Sequence, residues 1–164
     1  MSVIYERVAL IGLGLIASSM GHAMKRDGLA REIVGFAKTQ ETRETALKLG
    51  FVDRVAESAA DVVEQADLVV ICVPVGAMES VAREIGPRLK AGATVTDVGS
   101  VTQAVIGLVG PHFPKSVHAV PGHPLAGTAQ SAPSSGFAAL FNNRCHSLTP
   151  IKGRLDTDVE YFAT

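Results

Sequence analysis

Three short stretches of this chain carry residue types that could do chemistry together. The first, Gly12-Leu13-Gly14-Leu15-Ile16-Ala17, pairs two glycines with a small residue three positions on. Placed between a strand and a helix, Gly12 allows a tight turn and Gly14 removes the Cβ that would block a diphosphate. Ala17 lets helix and strand pack closely. The diphosphate then sits on the backbone N–H groups of residues such as Leu15 and Ile16, at the positive end of the helix dipole. A bare strand–turn–helix has the same pattern, so the context must decide. An acid that would hold the ribose hydroxyls of NAD is expected about 20 residues past the glycines. Ala37 stands there, followed by Lys38 and Thr39, with Arg43 a turn later. A missing carboxylate beside cations suits the 2′-phosphate of NADP. Equally, Lys38 and Arg43 can simply solvate a helix start, so NAD and NADP both remain open.

The second stretch is Asp97-Val98-Gly99-Ser100-Val101 and the third is Pro121-Gly122-His123-Pro124-Leu125-Ala126-Gly127-Thr128. A neutral imidazole near pH 7 can accept a proton or polarise a hydroxyl, which makes His123 the candidate base. Its plain alternative is a turn-stabilising histidine before a proline. Ser100 is a candidate partner for it and, independently, a natural N-cap for the helix that follows. Asp97 reads as a structural carboxylate holding the same turn. Val73-Pro74, at the end of an apolar run, is placed to pack against a cofactor. His22, His112, His118 and His146 show no ligand spacing, and no HxxxH or CxxC pair occurs, so no metal is expected.

Elements that would position these groups follow from hydrophobic periodicity. Strands are expected at residues 7–11, 32–36, 52–55, 68–73, 94–98 and 116–120. Helices are expected at 15–26, 40–49, near 58–64, at 76–89 and at 101–109. Met78, Val81, Ala82 and Ile85 share one face of the fourth of these. Such alternation implies right-handed βαβ units and a parallel sheet covered on both faces. Residues 121–135, rich in Pro, Gly, Ser, Thr and His, read as a long irregular loop of the kind that carries function. A helical turn at 137–141 and a last strand at 147–149 complete the pattern. The fold class is therefore α/β, a Rossmann-type doubly wound, mostly parallel sheet. Residues 1–150 form the dinucleotide-binding domain, and residues 151–164 begin a further helical region.

Composition narrows the function classes. The chain has 164 residues, about one domain, of which 47% are hydrophobic and 19% charged, which suits a compact soluble protein rather than a disordered one. Aromatics are only 5% and Trp is absent, so the core must be Val, Ile, Leu and Ala, as in buried parallel strands. A formal net charge of −1 gives no basic face for nucleic acid. Two cysteines, Cys72 and Cys145, make no disulfide framework and suit a reducing compartment. The uncharged stretch from residue 8 is broken by Gly12, Gly14, Ser18, Ser19 and Gly21, and no basic segment precedes it. Neither a membrane span nor a signal peptide is expected, and a cytoplasmic protein is.

Five segments together resemble the TyrA-type prephenate/arogenate dehydrogenases, in the order found there. They are GLGLIASS at 12–19, ICVPV at 71–75, DVGSVTQAV at 97–105, HAVPGHPLAGT at 118–128, and GFAALF with LTP across 136–150. The DVGSV and GHPLAG pair is the more specific part. This resemblance implies NAD(P)-dependent oxidative decarboxylation of prephenate or arogenate in tyrosine biosynthesis. His123 would be the catalytic histidine on the ring hydroxyl, and Ser100 the serine that orients it and the substrate. It also implies a homodimer in the full-length family, formed by a helical C-terminal domain that this chain lacks, and cationic groups for the substrate carboxylates. Arg144 is the candidate cation within the chain. The family pattern has Gly where Ala17 stands, Glu where Ala129 stands and Gly where Ala132 stands. An inactive nucleotide-binding module of the same family is the alternative. A hydroxyacid or imine reductase would need a catalytic lysine or acid elsewhere and does not predict GHPLAG.

Overall fold

A computed structural model of the chain describes residues 2–100, 102–126 and 130–149. Six strands form one wholly parallel sheet: β1 (Tyr5–Ile11), β2 (Ala30–Phe36), β3 (Arg54–Val55), β4 (Leu68–Ile71), β5 (Thr94–Asp97) and β6 (His118–Val120). Their spatial order is β3-β2-β1-β4-β5-β6. The helices between them are α1 (Leu15–Asp27), α2 (Gln40–Leu49), α3 (Ala59–Val62), α4 (Val75–Ile85) and α5 (Thr102–Val109). Beyond the sheet, β7 (Gly122–Pro124) and β8 (His146–Leu148) pair as an antiparallel ribbon.

The period-2 alternation of the strands divides the core in two. Val8, Leu10, Leu68 and Val70 face one layer, against Ala17 of α1, Ala46 of α2 and Phe51. Ala9, Ile11, Val69 and Ile71 face the other, against Met78, Ala82 and Ile85 of α4 and Val105 of α5. All four β4 residues are buried, as expected of a central strand covered on both faces. The doubly wound α/β class is thus observed, with small aliphatics filling the space that aromatics would take elsewhere. No described helix is long and apolar enough to cross a membrane.

Several boundaries differ from the periodicity. The 52–55 strand shrinks to two residues, because Val52 is buried under the layer of Phe51 before the pairing with β2 begins. The 68–73 strand ends at Ile71, and α4 starts directly after Pro74, whose fixed φ suits a helix entrance. Its last turn tightens into a 3-10 segment at Gly86–Arg88. The fifth helix begins at Thr102, residue 101 lying outside the described residues. The larger correction concerns residues 121–135. This stretch is not irregular throughout: it contains β7 and a 3-10 turn at Pro133–Ser135, and His123 lies on a strand. Period-2 patterning cannot reveal a three-residue strand whose partner lies more than 20 residues away. The predicted 151–164 helical region falls outside the described residues.

The seam between α1 and the segment entering β3 is tight at Gly21. A Cβ there would lie 2.5 Å from the Phe51 carbonyl oxygen and 3.0 Å from its ring. Gly21→Ala therefore costs about 1–3 kcal/mol through overpacking against backbone, more than the helix propensity that Ala gains. A thermal melt should show a midpoint several degrees lower; an unchanged or raised midpoint would contradict this packing.

Candidate active site

Four strand ends meet along one edge of the sheet. Ile11 of β1 lies beside Ile71 of β4, Ile71 beside Asp97 of β5, and Thr96 beside Val120 of β6. The residues that follow emerge together and stay bonded. Gly12 N–H donates to the Phe36 carbonyl at 2.8 Å, Cys72 N–H to the Ile11 carbonyl at 2.7 Å, and Val98 N–H to the Ile71 carbonyl at 3.2 Å. Because β1 has β2 on one side and β4 on the other, the connections leave it in opposite directions. A crevice opens at that switch point, where open α/β sheets bind their ligands.

Gly12 sits at the floor of the crevice with φ +88°, a backbone state that side chains rarely adopt. A Cβ on it would lie 2.8 Å from the Cys72 carbonyl oxygen. A cavity of about 550 Å³ runs from Gly12 and Gly14 past Ala37 and Lys38 to Val73 and Pro74, with Ala77 and Val81 of α4 opposite. A second cavity of about 340 Å³ lies across the turn, lined by Leu15, Ile16, Ala17, Val98 and Ala126. Gly14, Cys72 and Ser131 border both. The volume, the apolar flank and the cradle of small residues fit an extended dinucleotide, one half in each cavity. Cys72 is no nucleophile here: burial, and then the nearby Asp97 carboxylate, push its thiol up to about 12.

Two polar groups of the crevice already have partners within the protein. The leading amide of α1 is engaged: Leu15 N–H donates to the Ser131 carbonyl at 3.1 Å. Arg43 does not reach freely into the crevice. Its guanidinium donates to the Ala37 carbonyl at 2.8 Å and to Glu57 Oε2 at 3.4 Å, closing the turn between β2 and α2. Lys38 is exposed beside it. Thr39 caps α2, its Oγ1 accepting from Thr42 N–H at 3.3 Å.

The second and third stretches meet through Asp97, which is 4% exposed. Its Oδ2 accepts from Gly99 N–H at 2.8 Å and its Oδ1 from Gly122 N–H at 3.3 Å. One buried carboxylate thus ties the turn carrying Ser100 to the strand carrying His123. Burial pushes its pKa up, against the opposing effect of these two amides, its own backbone and His123. His123 is half-buried and opposite Ser147, while His146 is opposite Pro124. His146 Nε2 would lie 2.6 Å from a Cβ on Gly122, so the second imidazole packs directly over that glycine. Burial, then the charge of His123, lower the His146 pKa. Ser100 is exposed just ahead of α5, and neither it nor His123 lines the two cavities described. Among the described residues, no group of three or more His, Cys, Asp or Glu could hold a metal ion.

Sequence reasoning missed Ser131, Cys72 and His146 as parts of this region. Cys72 was legible from its place just after the apolar strand that ends at Ile71 and before Pro74. Ser131 and His146 reach the site by long-range folding of the 130–148 segment, for which no local signal exists.

Residues 20–163 match the family described as prephenate dehydrogenase, nucleotide-binding domain. The cyclohexadienyl dehydrogenase of Zymomonas mobilis is 40% identical over 147 residues, covering 90% of this chain and 50% of the relative. The prephenate dehydrogenase of Bacillus subtilis is 32% identical over 151 residues, covering 92% and 41%. Among solved structures, Synechocystis arogenate dehydrogenase superposes with a TM-score of 0.86 at 26% identity, covering 96% of this chain and 54% of that one. The A. aeolicus prephenate dehydrogenase in complex with hydroxyphenyl propionate and NAD+ gives 0.83 at 26% identity, covering 99% and 57%. The chain spans about half the length of these relatives.

The Asp97 environment makes a pH-dependent prediction. Its folded pKa lies above the ordinary carboxylate value of 3.8, so in that window the folded chain holds a proton that the unfolded chain has lost. Stability therefore falls as pH rises through the window. Denaturant titrations across acidic pH should give a more negative slope in the wild type than in Asp97→Asn, because carboxylates with lowered pKa values such as Glu32 and Asp67 contribute equally to both. An identical slope in both would mean that Asp97 is not the titrating group.

Proposed function

This chain belongs to the prephenate dehydrogenase family, and on that premise we propose that it is the nucleotide-binding part of an NAD(P)-dependent dehydrogenase that oxidatively decarboxylates prephenate or arogenate in tyrosine biosynthesis. One observation carries the proposal: buried Asp97 joins the strand bearing His123 to the edge of the crevice floored by Gly12. Residues 1–150 are the nucleotide-binding unit, and residues 151–164 lead into the helical region. The whole protein works as a cytoplasmic homodimer.

In this assignment Gly12 and Gly14 allow the close approach of a diphosphate, and the amides of Leu15 and Ile16 bind it. Ala17 keeps α1 tight against the sheet. Ala37 and Lys38 meet the adenine ribose, and Val73 and Pro74 form an apolar wall. The bound nicotinamide supplies the hydride acceptor. His123, in the imidazole form that has a free ring nitrogen, accepts the proton of the ring hydroxyl as its carbon loses hydride. The ring ketone so formed is conjugated to the carbon bearing the carboxylate, so loss of CO₂ aromatises the ring without a metal. Ser100 orients the imidazole and the substrate.

Calorimetric titration of the chain with NAD+ and NADP+ tests the cofactor assignment. Saturable heat with one or both is expected, and a preference for NADP+ that Lys38→Ala removes would assign Lys38 to the 2′-phosphate; no binding of either contradicts the proposal. In the whole protein, His123→Asn should lower turnover by about 10²–10⁴-fold, the usual worth of a positioned base, with nucleotide affinity unchanged. Equal loss of turnover and affinity would make His123 a structural residue.

A further inference from the structure

We propose that residues 130–137 form an autoinhibitory strap, which lies across the phosphate-binding turn and must lift before a nucleotide diphosphate can settle there. The inference rests on the nucleotide reading above. Contacts at three places define the strap. At its leading end, the Ser131 carbonyl accepts from Leu15 N–H at 3.1 Å, and the same oxygen would lie 2.9 Å from a Cβ on Gly14. In its middle, the 3-10 turn at Pro133–Ser135 packs on α1 and α2, and Ser135 Oγ donates to Gln130 Oε1 at 2.9 Å. At its far end, Phe137 N–H donates to Ser19 Oγ at 3.1 Å, Gly136 rests against Ser18, and Arg26 donates to the Ala138 carbonyl at 3.3 Å.

The chemistry makes the strap and the ligand exclusive. Leu15 is the first residue of α1, and its amide is among those a helix offers to an anion. One N–H cannot serve a carbonyl oxygen and a phosphate oxygen from the same direction, and two such oxygens in contact repel each other. Ser131 also borders both cavities, at the place where a dinucleotide would pass from one to the other. The carbonyl therefore imitates the phosphate it must yield to. Because the strap lies in the connection from β7 to β8, lifting it acts on the chain that carries His123. Nucleotide entry then precedes completion of the histidine's surroundings.

The probe is ADP, which carries the diphosphate without nicotinamide, read by hydrogen–deuterium exchange on the chain. ADP should speed exchange of the Phe137 amide, which is bonded to Ser19 Oγ, about tenfold or more and slow that of Gly14 to Ala17. Binding of ADP with exchange of the strap unchanged or slowed would overturn the strap and leave the nucleotide site standing. No binding of ADP, by calorimetry, would overturn the nucleotide reading and the strap with it. Independently, Ser19→Ala removes the far anchor. It should tighten ADP binding about two- to tenfold, the worth of one neutral hydrogen bond, and an unchanged or weaker affinity in the folded variant would overturn the strap.

Discussion

The close approach of β1 and β4 at Gly12 governs everything downstream. The Cys72 carbonyl oxygen sits 2.8 Å from where a side chain on residue 12 would begin, and the left-handed φ of Gly12 turns the chain sharply away from it. A non-glycine residue there would carry both a steric clash and a backbone cost of about 1–3 kcal/mol. Relieving them would separate the two central strands, or redirect α1 away from the crevice. The parallel register holds those strands through Ile11 and Ile71, both buried, so the sheet gives the turn little room to adapt. A rigid floor, open above, is what a ligand with a diphosphate requires.

Asp97 extends that rigidity to His123, the proposed base. A buried carboxylate is unfavourable unless it is well partnered. Here its two oxygens are used by two different backbone segments, at Gly99 and Gly122. The cost of burial, visible as a raised pKa, is offset by fixing the DVGSV turn and the β7 strand at one distance from each other. The ribbon with β8 then holds His123 from the other side, and His146 fills the space over Gly122 that any larger residue would need. Cofactor crevice and histidine are separate in sequence by more than 100 residues, yet they are joined by one strand edge and one side chain.

Much of this was legible in the chain itself. LVVICV and TVTDV read as buried strands and are so over Leu68–Ile71 and Thr94–Asp97, and the N-cap of α2 and the entrance of α4 follow from Thr39 and Pro74. The glycine pair, the carboxylate at 97 and the histidine at 123 each declared themselves by residue type and setting. Segment 121–148 was harder. Its strands have three residues each, pair across a connection of 21 residues, and contain prolines, so neither periodicity nor composition marks them. Arg43 shows a different limit. Sequence places a cation near the ribose end, but the fold engages it with the Ala37 carbonyl and Glu57. The same holds for Ser131, whose carbonyl reaches Leu15 from 116 residues away.

The claim beneath all of this is that the backbone amides following Gly12 hold a diphosphate. Amide-resolved NMR titration of the chain with ADP addresses it directly. The account predicts the largest shifts at Gly14, Leu15 and Ile16, saturating together with those of Ala37 and Lys38. Saturable binding whose shifts lie elsewhere, with the residue 12–17 amides unmoved, would contradict it.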